Sequence, residues 1–293
     1  MPKAGFVTVA GLPNAGKSTL LNRLVGQKLA ITSSKPQSTR DRVVGIVTEG
    51  DCQMIVLDTP GLLDAKYSLQ HAMRGVSLKA LIDADVIVQL CDAGAGAAPP
   101  LVEMAGLESA PRASVLKVYN KCDVLREGQR EELRVLEPNA LLVSASSGEG
   151  IEQLLAEVRE RLPESPFLYG PDDASTQSLR FFVTELIRET AFELLEEELP
   201  YAIACEIEEF REDRRPVYIR AVLYVERESQ KRILIGAGGT QIRDLGRASR
   251  LKIEPLVQQP VYLDLWVKVL HNWRRNPPAL NRLGYLVPEE QRS

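Results

Sequence analysis

The chain has 293 residues, of which 44% are apolar and 26% charged, with a formal net charge of −4. That is globular composition with length for about two domains, and a net acidic chain must make any nucleic-acid contact through a local basic patch. No apolar run approaches the roughly 18 residues of a membrane-spanning helix.

The opening M-P-K-A-G leads straight into a strand predicted over 5–10, which leaves no room for a signal peptide. The four cysteines, Cys52, Cys91, Cys122 and Cys205, are far apart and read as isolated thiols of a reducing compartment. The expectation is a soluble cytoplasmic protein. Behind the first strand stands G-L-P-N-A-G-K-S, Gly11 to Ser18, followed by a helix predicted over 17–26. This spacing, between strand and helix, is that of a phosphate-cradling loop. Gly11 and Gly16 permit turns that aim successive N–H groups at an anion, and the helix adds its positive N-terminal end. Lys17 is expected on the β/γ-phosphates and the Ser18 hydroxyl on Mg²⁺. The candidate nucleotide set begins with Gly11, Pro13, Asn14, Ala15, Gly16, Lys17, Ser18 and Thr19.

The segment S-S-K-P-Q-S-T-R-D that follows is polar and aperiodic. A hydroxyl there that joins the Mg²⁺ only when a γ-phosphate is present would make a switch; Thr39 is the first choice and Ser38 the second. Strands at 43–49 and 52–58 flank Glu49-Gly50-Asp51 as an antiparallel hairpin. D-T-P-G then places Asp58 to hold the metal through water and the Gly61 N–H to face a γ-phosphate. Leu62 stands where a water-orienting glutamine is expected. Turnover should therefore be slow or assisted, and the Asn14 amide oxygen is a candidate holder of a K⁺ ion against the phosphates. Lys17, Asn14, Thr39 and Gly61 make up the candidate catalytic set.

A helix at 68–82, strand at 85–91, helix at 100–109 and strand at 114–119 lead to N-K-C-D, with Asn120, Lys121 and Asp123 as candidates. The Asp123 carboxylate can accept from both guanine N1–H and the 2-amino group, donors that adenine lacks, which argues for GTP over ATP. A helix at 127–135 and a strand at 140–143 end in S-A-S, where Ser144, Ala145 and Ser146 offer a backbone N–H to guanine O6. A helix at 149–162 closes this half. The alternation implies an α/β fold with a mostly parallel sheet and helices on both faces, its ligand loops at the carboxyl ends of the strands.

Pro163 to Thr176, with three prolines and a glycine, reads as a linker. The predicted division is a nucleotide domain over 1–165, a linker over 166–176 and a second domain over 177–293. The second domain's order is helix (177–198), strands (202–210 and 216–226), helices (229–235 and 239–250) and strand (260–269). Between its helices lies G-x-x-G, Gly236 to Gly239, a turn that lets a nucleic-acid backbone approach closely. Arg211 to Lys252 holds eleven basic and five acidic residues, as a one-sided phosphate footprint requires. Lys231, Gly236, Ala237, Gly238, Gly239, Arg243 and Arg247 are the candidate RNA-binding residues. In V-Y-L-D-L-W-V-K-V, Val261, Leu263, Leu265, Val267 and Val269 should face the core. Trp266, on the other side, would stack on a base or pack under a helix, and Trp273-Arg274-Arg275 is a further RNA candidate.

These motifs, in this order, resemble the Era family of bacterial GTPases along nearly the full length. The resemblance rests on G-L-P-N-A-G-K-S, P-Q-S-T-R, D-T-P-G-L, N-K-C-D, S-A-S and a G-x-x-G domain ending in V-Y-L-D-L-W-V-K-V. It implies a Ras-like GTPase domain followed by an α+β type II KH domain. It also implies binding of the 3′ end of 16S ribosomal RNA during maturation of the 30S subunit by a monomer, with Mg²⁺ and GTP/GDP at the first domain. A peripheral inner-membrane association follows from it too, the alternative being a membrane-associated signalling GTPase. The position of Asn14 matches that used by potassium-activated relatives. Two departures stand out: Ala237 replaces the family's usual Lys or Arg, and Ser38-Thr39 replaces two threonines.

Overall fold

The computed structural model describes residues 1–288. The chain divides into two compact units, Met1–Ala65 with Met73–Thr176, and Lys66–Ala72 with the residues from Gln177 on. In the first unit the strands are β1 (Lys3–Ala10), β2 (Val43–Glu49), β3 (Cys52–Asp58), β4 (Val86–Asp92), β5 (Ser114–Asn120) and β6 (Leu141–Leu142). They form one sheet in the order β2-β3-β1-β4-β5-β6, parallel except for the hairpin pairing of β2 with β3. Val7 and Val9 of β1 and Met54 to Leu57 of β3 are buried, the near-continuous apolar run of strands covered on both faces. The register aligns Val9 with Asp58 and Asp92 with Asn120. All the loops bearing the motifs therefore leave the sheet at one edge.

The helices are α1 (Lys17–Val25), α2 (Ser68–Ile82), α3 (Leu101–Ala105), α4 (Glu127–Leu136) and α5 (Ile151–Arg161). Leu20 and Leu21 of α1 are fully buried, each stabilising the unit by about 1.5–3 kcal/mol. α3 is shorter than the predicted 100–109 because Gly106 adopts the left-handed conformation and caps it.

The proline-rich stretch after α5, predicted as a linker, lies along the first unit. Gln53 Oε1 accepts from the N–H groups of Leu168 and Tyr169, and Ile46 N–H donates to Ala174 O at 2.9 Å. The Tyr169 ring packs against Val44, Ile55 and Leu57.

The second unit contains α6 (Leu179–Leu194), α7 (Leu199–Ala202), β7 (Ala204–Arg211), β8 (Val217–Val225), α8 (Glu228–Ile235), α9 (Thr240–Val257), β9 (Val261–Val269) and α10 (Pro277–Arg282). β7 and β8 are antiparallel, β8 and β9 parallel, in the order β7-β8-β9. The single helix predicted over 177–198 is two. The first ends at an extended Leu195, three successive glutamates follow, and Pro200 sits in the first turn of the next. α9 instead runs beyond the predicted 250 to Val257 and carries Pro255 inside its last turn, where the missing N–H deprives Leu251 O of its helical donor. The alternation of β9 is as predicted. Its odd-numbered residues pack with Val183, Ile187, Leu234 and Leu245, while Tyr262 and Trp266 are exposed.

Candidate functional site

Between β1 and α1 the phosphate loop turns through positive φ at Asn14 (64°) and Gly16 (93°). A Cβ at Gly16 would lie 2.2 Å from Asn120 Nδ2, and one at Gly61 2.7 Å from Pro13. The loop is thus seated against its neighbours where only glycine fits. Lys17 is folded into it, its Nζ donating to Gly11 O at 3.2 Å and Leu12 O at 2.9 Å. Burial lowers the Lys17 pKa to about 8, against the opposing pull of the Asp58 charge. An ammonium desolvated among carbonyls is poised for an anion, and a phosphate there would restore its charge.

Ser18 Oγ lies 2.6 Å from Asp58 Oδ2 and 3.0 Å from Thr39 Oγ1. Two hydroxyls and a carboxylate so gathered are hard oxygen donors, the kind Mg²⁺ takes together with substrate phosphates. Among the described residues no cluster of three His, Cys, Asp or Glu side chains offers another metal site. Ser38, the alternative to Thr39, lines the adjoining cavity of about 320 Å³, as do Pro13, Asn14, Gly61 and Lys121. Asn14 Nδ2 donates to Ser34 O at 3.0 Å, tying the phosphate loop to the polar segment. Leu62 is buried in an apolar cluster with Ala10, Ile87 and Leu101.

Asn120 is buried and its amide is a staple. Nδ2 donates to Ala15 O at 2.8 Å and Oδ1 accepts from Ala145 N–H at 2.9 Å. The Ala145 N–H, one of those that S-A-S was expected to offer a base, is therefore engaged. Ser144 is buried, with its hydroxyl accepting from Ser147 N–H, and Ser146 is exposed. Lys121 adopts φ 67° and pairs with Asp92 at 2.7 Å; Asp123 is exposed. Thr19, at the opening of α1, also lines the cavity.

In the second unit, Gly236 to Gly239 form a tight turn between α8 and α9. Gly236, Gly238 and Gly239 have φ of 75°, 59° and 77°, and Ala237 is exposed. A Cβ at Gly238 would meet nothing within 4 Å. Arg243 donates to Gly238 O at 3.1 Å, and Lys231 stands on α8. Arg243, Arg247 and Arg250 line a groove of about 450 Å³ with Tyr262, Leu263 and Leu265 of β9. Arg250 and Tyr262 were missed as candidates, although the spacing of Arg250 from Arg243 and Arg247 along one helix face was visible.

Trp273 is not part of a nucleic-acid surface. Its indole is fully buried and donates to Ala202 O at 2.8 Å, and Arg274 is paired with Glu226. Of that trio only Arg275 is exposed.

Among the described residues no helix is long and apolar enough to cross a membrane. A family model described as 50S ribosome-binding GTPase matches residues 6–121, and a KH domain model matches residues 198–274. GTPase Era of Halothermothrix orenii is 41% identical over 294 residues, covering 97% of this chain and 98% of the relative. GTPase Era of Geobacter metallireducens is 38% identical, with 97% and 98% covered. Among solved structures, a variant of Aquifex aeolicus Era bound to GDP·AlF4⁻ is 34% identical with a TM-score of 0.90, covering 97% of this chain and 100% of that one. Era in complex with MgGDPNP and nucleotides 1506–1542 of 16S ribosomal RNA is also 34% identical, with a TM-score of 0.91 and coverage of 98% and 100%. A P-loop GTPase fold is thus joined to a type II KH domain, with likeness extending over both, and the chain belongs to the Era family of GTPases.

Proposed function

We propose that this protein is a cytoplasmic GTP-binding and GTP-hydrolysing switch that grips the 3′ end of 16S ribosomal RNA and assists maturation of the 30S subunit. The working parts are a GTPase domain over 1–165 and a KH domain over 177–293. The observation that carries the reading is the likeness, over nearly all of both chains, to an Era structure holding MgGDPNP and that RNA. Ser18, Thr39 and Asp58 would hold Mg²⁺, which neutralises charge on the β- and γ-phosphates when bound. Lys17 and the loop N–H groups bind the phosphates, the Gly61 N–H faces the γ-phosphate, and Asp123 accepts from the guanine edge. A peripheral membrane role has no feature of the described residues to favour it.

The test uses the full chain and a 3′-terminal 16S oligonucleotide in filter binding across a salt series. Gly238→Asp finds open space for its Cβ but must adopt the positive φ of 59°. Aspartate tolerates that strain better than most residues, so the variant should fold at some cost in stability. It sets a carboxylate against the approaching RNA backbone and should abolish binding. Ala237→Lys should raise affinity and steepen the log–log salt slope by about 0.7. Parent-like binding by Gly238→Asp would remove the G-x-x-G turn from the site.

Buried Leu62 cannot orient water by hydrogen bonding, so the intrinsic rate should be slow. With Nδ2 committed to Ser34, the Asn14 amide keeps its oxygen for a monovalent cation. Hydrolysis should then be faster in KCl than in NaCl at equal ionic strength, and Asn14→Ala should erase the difference. Equal rates in the two salts for the parent would return the stimulation to an RNA or protein partner.

A further inference from the structure

Two side chains hold the loop Ser144–Ser146 from opposite directions. Asn120 takes the Ala145 N–H, so the next peptide hydrogen along the chain, on exposed Ser146, is the one left for a base edge; it makes no hydrogen bond among the described residues. From the last turn of α1, Arg23 reaches the same peptide. Its Nε donates to Ala145 O at 3.0 Å, and its Nη2 donates to Ser146 O.

The Ala145 carbonyl and the Ser146 N–H belong to one planar trans peptide and point in opposite directions. Anchoring the oxygen therefore fixes where the hydrogen points. A guanidinium on the carbonyl also polarises the amide, which makes its N–H a stronger donor. We infer that Arg23 is a positioning residue for base recognition: it aims the Ser146 N–H at guanine O6 and so favours a 6-oxo over a 6-amino purine. A 6-amino group would bring a donor against a donor. The inference rests on the guanine-nucleotide reading above.

Arg23 is exposed, so Arg23→Ala removes the anchor without opening the core. The experiment measures binding of GDP and of 6-thio-GDP, whose sulfur is a weak acceptor in place of O6, to full-length parent, Arg23→Ala and Arg23→Lys. Arg23→Ala should weaken GDP about tenfold, the worth of one neutral hydrogen bond, and 6-thio-GDP by less than about twofold. Arg23→Lys, with a single-headed donor, should recover part of the GDP affinity. Equal losses for both nucleotides would reduce Arg23 to a general brace of the loop, and unchanged GDP binding would remove it altogether; either result overturns the inference. A parent that failed to prefer GDP over ADP would instead overturn the guanine reading beneath it.

Discussion

Replacing Lys17 with methionine should make the nucleotide-free protein more stable while removing its hold on GTP. Lys17 is 6% exposed, and burial brings its pKa from 10.5 to about 8. The folded value lies below the unfolded one, so keeping this ammonium charged costs stability, by roughly 3 kcal/mol at neutral pH. That cost is fully present below pH 8 and is relieved as pH rises towards 10.5, because the unfolded chain holds the proton longer. Methionine keeps an unbranched stem, and the two carbonyls that lose the ammonium keep backbone donors, Gly11 O the Leu62 N–H and Leu12 O the Ala15 N–H. The net gain should be about 1–2 kcal/mol. The charge-assisted bonds to phosphate disappear, and GTP affinity should fall at least about a hundredfold. Denaturation of the nucleotide-free chain at neutral pH and at pH 10, with fluorescent-nucleotide titration, reads both effects. A variant less stable than the parent at neutral pH, or one that binds GTP normally, would refute this account of the loop.

Trp273→Ala should cost the second domain about 3–5 kcal/mol. The indole is fully buried, donates to Ala202 O and stacks at 6.1 Å on Tyr285. Alanine therefore leaves both a cavity and an unpaired buried carbonyl. Both tryptophans of the chain, Trp266 and Trp273, lie in the second unit. Half-exposed Trp266 remains as the fluorescent reporter in the variant. A urea titration should show its transition at markedly lower denaturant. Unchanged stability with weakened RNA binding would reinstate Trp273 as a nucleic-acid contact.

The misreading of Trp273 shows where sequence reasoning stops. Next to two arginines an aromatic looks like a stacking group, and its real partner is a carbonyl 71 residues away. The period-two pattern of β9 was legible because neighbouring residues alone encode it, and the phosphate loop because glycine is a geometric requirement there. The ends of α6 and α9 were not, since Pro200 opens a helix while Pro255 lies inside one, and neighbouring residues do not tell the two cases apart. The roles inside N-K-C-D and S-A-S divide the same way. Spacing brought Asn120 and Ala145 into one site, but only coordinates show that they spend their hydrogen bonds on each other.

The strap from Pro163 to Thr176 guards a vulnerable edge. β2 ends the six-stranded sheet, and among the described residues no further strand pairs with its outer side, a position from which unpaired backbone groups recruit strands of other molecules. Here Ala174 O takes the Ile46 N–H and Ser175 Oγ donates to Val44 O. A cut after Leu162, the natural place to separate the two domains on paper, would strip this cover and leave an adhesive first domain. Ending the fragment at Thr176 keeps the cover, and with it a first domain that stays dispersed.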